Sequence, residues 1–222
     1  MPRDSFENHL NELKSSMLEL GRLTNLTIAD GVEALRTRDR TIAQSLIAGD
    51  EEINLRRYDI EERAYELIAT QQPLATDLRE IMSILLIAIE LERIADHSKN
   101  LGEIVIHMGN APLLKPLIDI PRMAEACQEM LRQALDAFTR HDADAARSVC
   151  RRDDEIDNLY VQIFRELLTY IAEDSRTVTR ALNLLFAAHN LERIGDRITN
   201  IGERVIYAAT GQLEELNTQR YE

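Results

Sequence analysis

Apolar residues recur along this chain at steps of three and four over long stretches, with charged and polar residues between them. That spacing matches one face of an α-helix. The breaks between stretches are short, so the pattern predicts six long helices. The first is expected from about Asn8 to Arg36, stopping at Thr37-Arg38-Asp39. Asp39 can accept a bond from a free backbone N–H and so cap the second, which runs to about Thr70. Gln71-Gln72-Pro73 ends it, because proline lacks a donor and restricts the residue before it. The third is expected from about Thr76 to Met108, followed by a linker from Gly109 to Pro121. The fourth occupies roughly Arg122 to Thr139, Asp142 caps the fifth, and Asp174 or Ser175 caps the sixth, which reaches about Ala209.

The helices come in two sets. Leu91 to Ile106 reads LERIADHSKNLGEIVI, and Leu191 to Ile206 reads LERIGDRITNIGERVI, with ten of the sixteen positions identical. Earlier in each set, Ala34, Asp39, Asp50, Glu52 and Ile53 match Ala137, Asp142, Asp153, Glu155 and Ile156 at an offset of 103. The three residues by which the offsets differ fall in the turn before the third helix of each set. The expected architecture is therefore all-α: a tandem of two antiparallel three-helix bundles, residues 1–110 and 111–222.

Composition supports this and removes other classes. Only 5% of residues are aromatic, and Ala, Leu, Ile, Glu and Arg are plentiful, which favours helix over sheet. Thirty-nine acidic against 26 basic side chains give a net charge of −13, which repels a phosphate backbone and argues against nucleic-acid binding. The longest apolar run, Ile84 to Ile89, is six residues, far short of the roughly 20 needed to cross a bilayer. With no apolar leader in MPRDSFENHL, the expected location is the cytoplasm. Cys127 and Cys150 are too few and too separated for a disulfide framework and read as small buried apolar residues.

Apolar packing does not require the acidic stripe that the two copies share. Glu92, Asp96, Asn100 and Glu103 recur as Glu192, Asp196, Asn200 and Glu203, at helical spacings of 4, 4 and 3. Residues four apart sit on one helix face, so each Glu and Asp pair can address one ion or a small cluster. Counted outward from the turn at Gln72-Pro73, Asn54 lies level with Glu92, and Asp50 with Asp96. Counted from Asp174, Asp157 lies level with Glu192, and Asp153 with Asp196. Antiparallel helices with axes roughly 8 to 10 Å apart bring such pairs face to face.

Clustered carboxylates repel one another and favour proton uptake or a cation. An oxygen-rich set without paired cysteines points to Mg, Mn or Fe over a thiolate zinc site. The candidate ligands are Asp50, Asn54, Glu92, Asp96 and Asn100 in the first copy, and Asp153, Asp157, Glu192, Asp196 and Asn200 in the second. His189 lies on the same stripe as Glu192, but its counterpart is Ile89, so its role as a ligand stays open. The competing reading is a solvated acidic face paired with Arg93. Gly102 and Gly202 open no phosphate loop and read as points of close helix packing.

The doubled L-E-R-I-(A/G)-D motif, with Leu168-Thr169-Tyr170-Ile171-Ala172-Glu173-Asp174-Ser175-Arg176-Thr177 and Arg152-Asp153-Asp154-Glu155-Ile156-Asp157, resembles the PhoU family. These are cytoplasmic accessory proteins of the high-affinity phosphate transporter, and the resemblance covers nearly the whole chain. It implies a non-enzymatic negative regulator of the phosphate-starvation response. It further implies contact with the ATPase subunit of the phosphate ABC transporter and with a membrane sensor histidine kinase, a homodimer, and a link to the membrane only through partners. The implied cofactor is metal, with multinuclear iron expected and Mn, Mg, Zn or Ni as alternatives. It maps to Glu92 and Asp96, to Glu192 and Asp196, and to the facing Asp153 and Asp157. Asn54 departs from the pattern and leaves the first site one charge poorer. Two other readings compete: a ferritin-like di-iron carboxylate oxidase, and a helical scaffold without metal. The oxidase class uses Glu-x-x-His on two helices, a spacing this chain lacks.

Overall fold

The computed structural model describes residues 2–216. Its helices are α1 (Pro2–Thr37), α2 (Arg40–Gln71), α3 (Ala75–Met108), α4 (Asp119–Arg140), α5 (Ala143–Arg151), α6 (Asp153–Glu173) and α7 (Val178–Thr210), with a 3₁₀ turn at Ser175–Thr177. Strands are absent among the described residues. The helical class and the doubled three-helix plan agree with the sequence pattern.

Side chains stop and start the helices where expected. Asp39 accepts from the Thr41 and Ile42 N–H groups at 2.7 and 3.2 Å, and Asp142 from Ala145 N–H at 2.9 Å. Asp174 accepts from Arg176 N–H at 3.0 Å, which opens the 3₁₀ turn ahead of α7. Two elements begin earlier than the pattern predicts. α1 already starts at Pro2, and α4 starts at Asp119, inside the expected linker. Pro121 is tolerated there because the first-turn N–H groups of a helix have no intrahelical acceptor to lose.

The fifth helix differs more. It is divided at Arg152 into α5 and α6. Arg151 occupies the last turn of α5, and Asp153, Asp154 and Glu155 the first turn of α6. Those charges complement the negative end of one helix and the positive end of the next. The break turns Asp153 inward, where only 4% of its surface stays exposed.

Within each repeat three helical layers pack around an apolar seam: Leu91, Ile94, Leu101 and Val105 in α3, and Leu191, Ile194, Ile201 and Val205 in α7, all buried. α3 and α7 also form the most extensive helix pairing in the molecule, and α1 lies against α4, so one apolar core runs through both repeats. Gly102 and Gly202 serve close packing. A Cβ at Gly102 would stand 3.0 Å from the Ala43 carbonyl oxygen of α2, and one at Gly202 would collide with Cys150 Sγ of α5.

Contacts between the repeats are reciprocal, as an approximate twofold relation requires. Inside each repeat the same contact recurs, Thr24 Oγ1 donating to the Leu91 carbonyl at 3.3 Å and its counterpart Cys127 Sγ to the Leu191 carbonyl at 3.4 Å, whereas the following contacts join the two repeats. Asn100 Nδ2 donates to Asn190 Oδ1 at 3.1 Å, and Asn200 Nδ2 to Glu90 Oε2 at 3.3 Å. His97 Nδ1 lies 3.0 Å from Asn190 Oδ1, where its counterpart Arg197 approaches Glu90 Oε2 at 3.5 Å. Both cysteines are buried and free, and burial pushes the Cys150 thiol up to about 12.

Burial holds the His97 imidazole below its ordinary range, against the opposing effect of its hydrogen bond with Asn190. Unfolding releases that ring to take a proton. The stability that rests on neutral His97 is thus present above the unfolded value of about 6.5 and is lost as the pH falls below it. Melting temperatures compared between about pH 7.5 and about pH 5 should fall less for His97→Asn than for the unaltered chain. Equal falls would assign the acid sensitivity to other groups.

Candidate functional site

The two acidic stripes lie between the second and third helical layers of each repeat, on α2 and α3 and again on α6 and α7. Repetition of sequence does not make them equivalent.

In the first repeat, Asp50 and Asp96 come together around a lysine. Lys99 Nζ donates to Asp96 Oδ1 at 2.5 Å and to Asp50 Oδ2 at 3.2 Å, and Asn54 Nδ2 donates to the same Asp50 oxygen at 3.2 Å. The hydrogen bond to Asp96 is the main reason that the Lys99 ammonium is held above the usual lysine range. Glu92 lies one turn away. Burial pushes its carboxyl up, opposed by the charge of Arg57 and assisted by those of Asp96 and Asp50. Arg57 in turn donates to Glu61 at 2.6 Å and stands 3.9 Å from the Tyr58 ring centre.

In the second repeat the acids sit deeper. The Asp196 side chain is 12% exposed where that of Asp96 is 50% exposed, and Asp153 is buried. The motif's one small-residue change explains part of this. Ala95 of the first copy becomes Gly195, and a Cβ at Gly195 would lie 2.5 Å from Asp153 Oδ1. Removing one methyl group lets the Asp153 carboxylate sink against α7. Arg193 bridges Glu192 at 3.3 Å and Asp196 at 3.0 Å, with its own side chain 40% exposed. His189 Nδ1 is 3.6 Å from Glu192 Oε2, and its ring lies 6.1 Å from that of Tyr160. Burial and the neighbouring Arg193 charge keep His189 below the ordinary histidine range, so it meets Glu192 as a neutral ring at neutral pH.

Asn100 and Asn200, the remaining sequence candidates, are directed to the junction of α3 and α7 through Asn190 and Glu90. That junction lies on another flank of the helices from the stripes. Among the described residues, no three His, Cys, Asp or Glu side chains stand together closely enough to hold one ion as placed. Any cation would have to draw carboxylates inward.

Beyond Asn54 and His189, two further side chains distinguish the repeats that the shared motif does not single out. Lys99 corresponds to Thr199, which is 1% exposed, and Arg57 corresponds to Tyr160. The signal was available in the alignment of the copies, at offsets of 100 and 103, but attention to shared residues hides the unshared ones.

The sequence matches the PhoU domain over residues 17–105 and again over residues 120–205. The chain belongs to the PhoU family. Each PhoU domain match covers one three-helix repeat and includes one acidic stripe. A phosphate-specific transport system accessory protein PhoU homolog of Caulobacter vibrioides is 41% identical over 217 residues, which are 97% of this chain and 94% of that protein. The crystal structure of PhoU from Pseudomonas aeruginosa is similar with a TM-score of 0.89 and 37% identity, covering 93% of this chain and 100% of that one. That of the phosphate transport system regulatory protein PhoU from Streptococcus pneumoniae gives a TM-score of 0.88 and 31% identity, covering 95% and 99%. Among the described residues of this PhoU chain, no helix is long and apolar enough to cross a membrane.

Proposed function

We propose that this chain is a non-catalytic accessory protein of phosphate-specific transport, a cation-binding adaptor that restrains the phosphate-starvation response when phosphate is plentiful. The observation that carries the transport role is near full-length similarity to a protein named as an accessory of that system. Its expected partners are the ATPase subunit of the phosphate ABC transporter and a membrane sensor histidine kinase, met in the cytoplasm by a homodimer.

The donor chemistry of the second repeat supports the cation reading. Asp153, Asp157, Glu192 and Asp196 are oxygen donors on facing helices, two of them almost wholly buried, and the glycine at 195 leaves room for Asp153. Hard or borderline ions suit such a set, iron first, then manganese or magnesium. The ion supplies positive charge where Arg193 now serves, and the partial exposure of Arg193 lets it swing aside. His189 stands at the rim beside Glu192 and is a candidate fifth donor.

Metal analysis of protein purified without chelators, paired with capture of the purified ATPase subunit, tests the proposal. Stoichiometric metal that is lost in Glu192→Ala/Asp196→Ala, with weakened capture by that variant, is the expected result. Capture unchanged in the metal-free variant would favour a plain helical scaffold. Rapid oxygen consumption by the iron-loaded protein would favour the carboxylate oxidase.

A further inference from the structure

We propose that the exposed face shared by α6 and α7 is where a second copy of this chain docks, its helices antiparallel to those of the first. The inference rests on the reading of the protein as a homodimer and assigns the surface that makes it.

α7 packs on α3, α4, α5 and α6, which leaves it one free side, and α6 lies beside that side without touching α1, α2 or α3. Facing water there are Val161, Phe164 and Leu168 on α6 and Val178, Leu182 and Phe186 on α7, each between 36% and 54% exposed. Their spacing, steps of 3 and 4 on α6 and of 4 on α7, makes one stripe on each helix. The register follows from Gly195, whose Cβ would meet Asp153 and Ile156 of α6. Counted from that contact along antiparallel helices, Phe164 lies level with Phe186 and Leu168 with Leu182, to within half a turn. The stripes thus form a short ladder with an aromatic rung, an aliphatic rung and no charged residue in either stripe.

Size favours a protein partner. Six side chains at this exposure present on the order of 500 Å² of apolar surface, within the range of patches that mark interaction sites. A polar rim around them brings the face to the ~800 Å² per partner of a standard interface.

Charge and shape select a second copy. Two chains of net charge −13 repel each other, and a face whose centre carries no charge lets them meet at the least cost. With the helices antiparallel and the twofold axis between the rungs, Phe164 packs on the partner's Leu168 and Phe186 on the partner's Leu182. That is the self-complementary contact an isologous dimer requires. The antiparallel sense also keeps the acids apart. Asp157 and Glu192 continue the stripes beyond Val161 and Phe186. Parallel pairing would stack them on their own copies; antiparallel pairing sets them beside the partner's α6–α7 turn, where the Arg176 side chain is exposed.

The first repeat offers a poorer face. Tyr58, Glu61 and Tyr65 stand where the second repeat has Val161, Phe164 and Leu168. Glu61 is paired with Arg57 at 2.6 Å, and covering that ion pair and two tyrosine hydroxyls with apolar surface would cost their hydration. One copy of the duplication therefore presents a joining edge and the other an edge suited to water.

Sedimentation equilibrium on the full chain tests this, with circular dichroism to confirm the fold of each variant. The unaltered chain is expected to be a dimer, and Phe164→Glu/Phe186→Glu to raise its dissociation constant about a hundred-fold or more, since two central apolar anchors are lost. Tyr58→Glu/Met82→Glu adds the same charge to the first repeat and should leave the dimer unchanged. Leu168→Cys, close to the twofold axis, supplies a readout that adds no charge: a short bismaleimide should join two copies, whereas Tyr65→Cys should not join them. Cys127 and Cys150 are buried in both. A dimer that survives Phe164→Glu/Phe186→Glu, or that is joined through Tyr65→Cys and not through Leu168→Cys, would overturn the inference and leave the homodimer standing. An unaltered chain that stays monomeric at every concentration would overturn both. Weaker capture of the ATPase subunit by Phe164→Glu/Phe186→Glu would then assign the face to that protein.

Discussion

Phe138→Ala is expected to reduce folding stability by about 3 to 5 kcal/mol, the usual range for truncating a buried aromatic ring. Phe138 has no exposed surface, and it lies in α4, the helix of the second repeat that packs on α1 of the first. Lys14 of α1 places its ammonium 5.2 Å from the ring centre, a cation–π contact across the repeats. The matched position of the first repeat is Leu35, also fully buried, so the ring supplies volume that the duplicated pattern alone does not specify. Alanine leaves a cavity and removes the surface on which Lys14 rests. Urea denaturation followed by circular dichroism measures the loss. One cooperative transition is expected before and after the change, because the apolar core is continuous through both repeats. A loss below about 1 kcal/mol would mean that the neighbouring helices close over the gap.

Gly102→Ala should destabilise by about 1 to 3 kcal/mol, although alanine is the better helix former by about 1 kcal/mol. The new methyl group would meet the Ala43 carbonyl at 3.0 Å, and backbone cannot rotate away as a side chain can. Gly202→Ala meets Cys150 Sγ instead. Adding Cys150→Ala should recover most of that loss, a coupling that a double-mutant cycle reads directly. Gly49→Ala is the internal control. It lies within α2 with nothing within 4 Å of the added carbon, so it should stabilise by about 0.5 to 1 kcal/mol. The same substitution is thus expected to change sign with the neighbour. If Gly102→Ala also stabilised, α2 and α3 would be shown to have slack where their backbones cross.

Most of the fold was legible because helical propensity, periodic apolar positions and capping aspartates are local. Asp39 and Asp142 cap where their sequence positions suggest, and the apolar seams of α3 and α7 are buried as the spacing requires. The division at Arg152 was less legible. Its charge order was present in Arg151-Arg152-Asp153-Asp154-Glu155, but Asp50-Glu51-Glu52 follow Gly49 within an unbroken α2. Composition near a break is therefore weaker information than a side chain that can cap it. The start of α4 was obscured by Pro121, since proline marks a stop in a helix interior and is acceptable in a first turn.

The sequence by itself determined that this chain is helical, that it is duplicated, and that each copy carries acids at helical spacing on one face. Those properties depend on residue identity and on a period of 3.6. Only the tertiary structure decided what the acids meet. The long, flexible stem of Lys99 reaches two carboxylates on different helices, the missing Cβ of Gly195 admits Asp153, and Asn100 and Asn200 turn to the other repeat. Charge pairing and close approach depend on distances between elements far apart in the chain, and residue spacing along one helix carries no record of those distances.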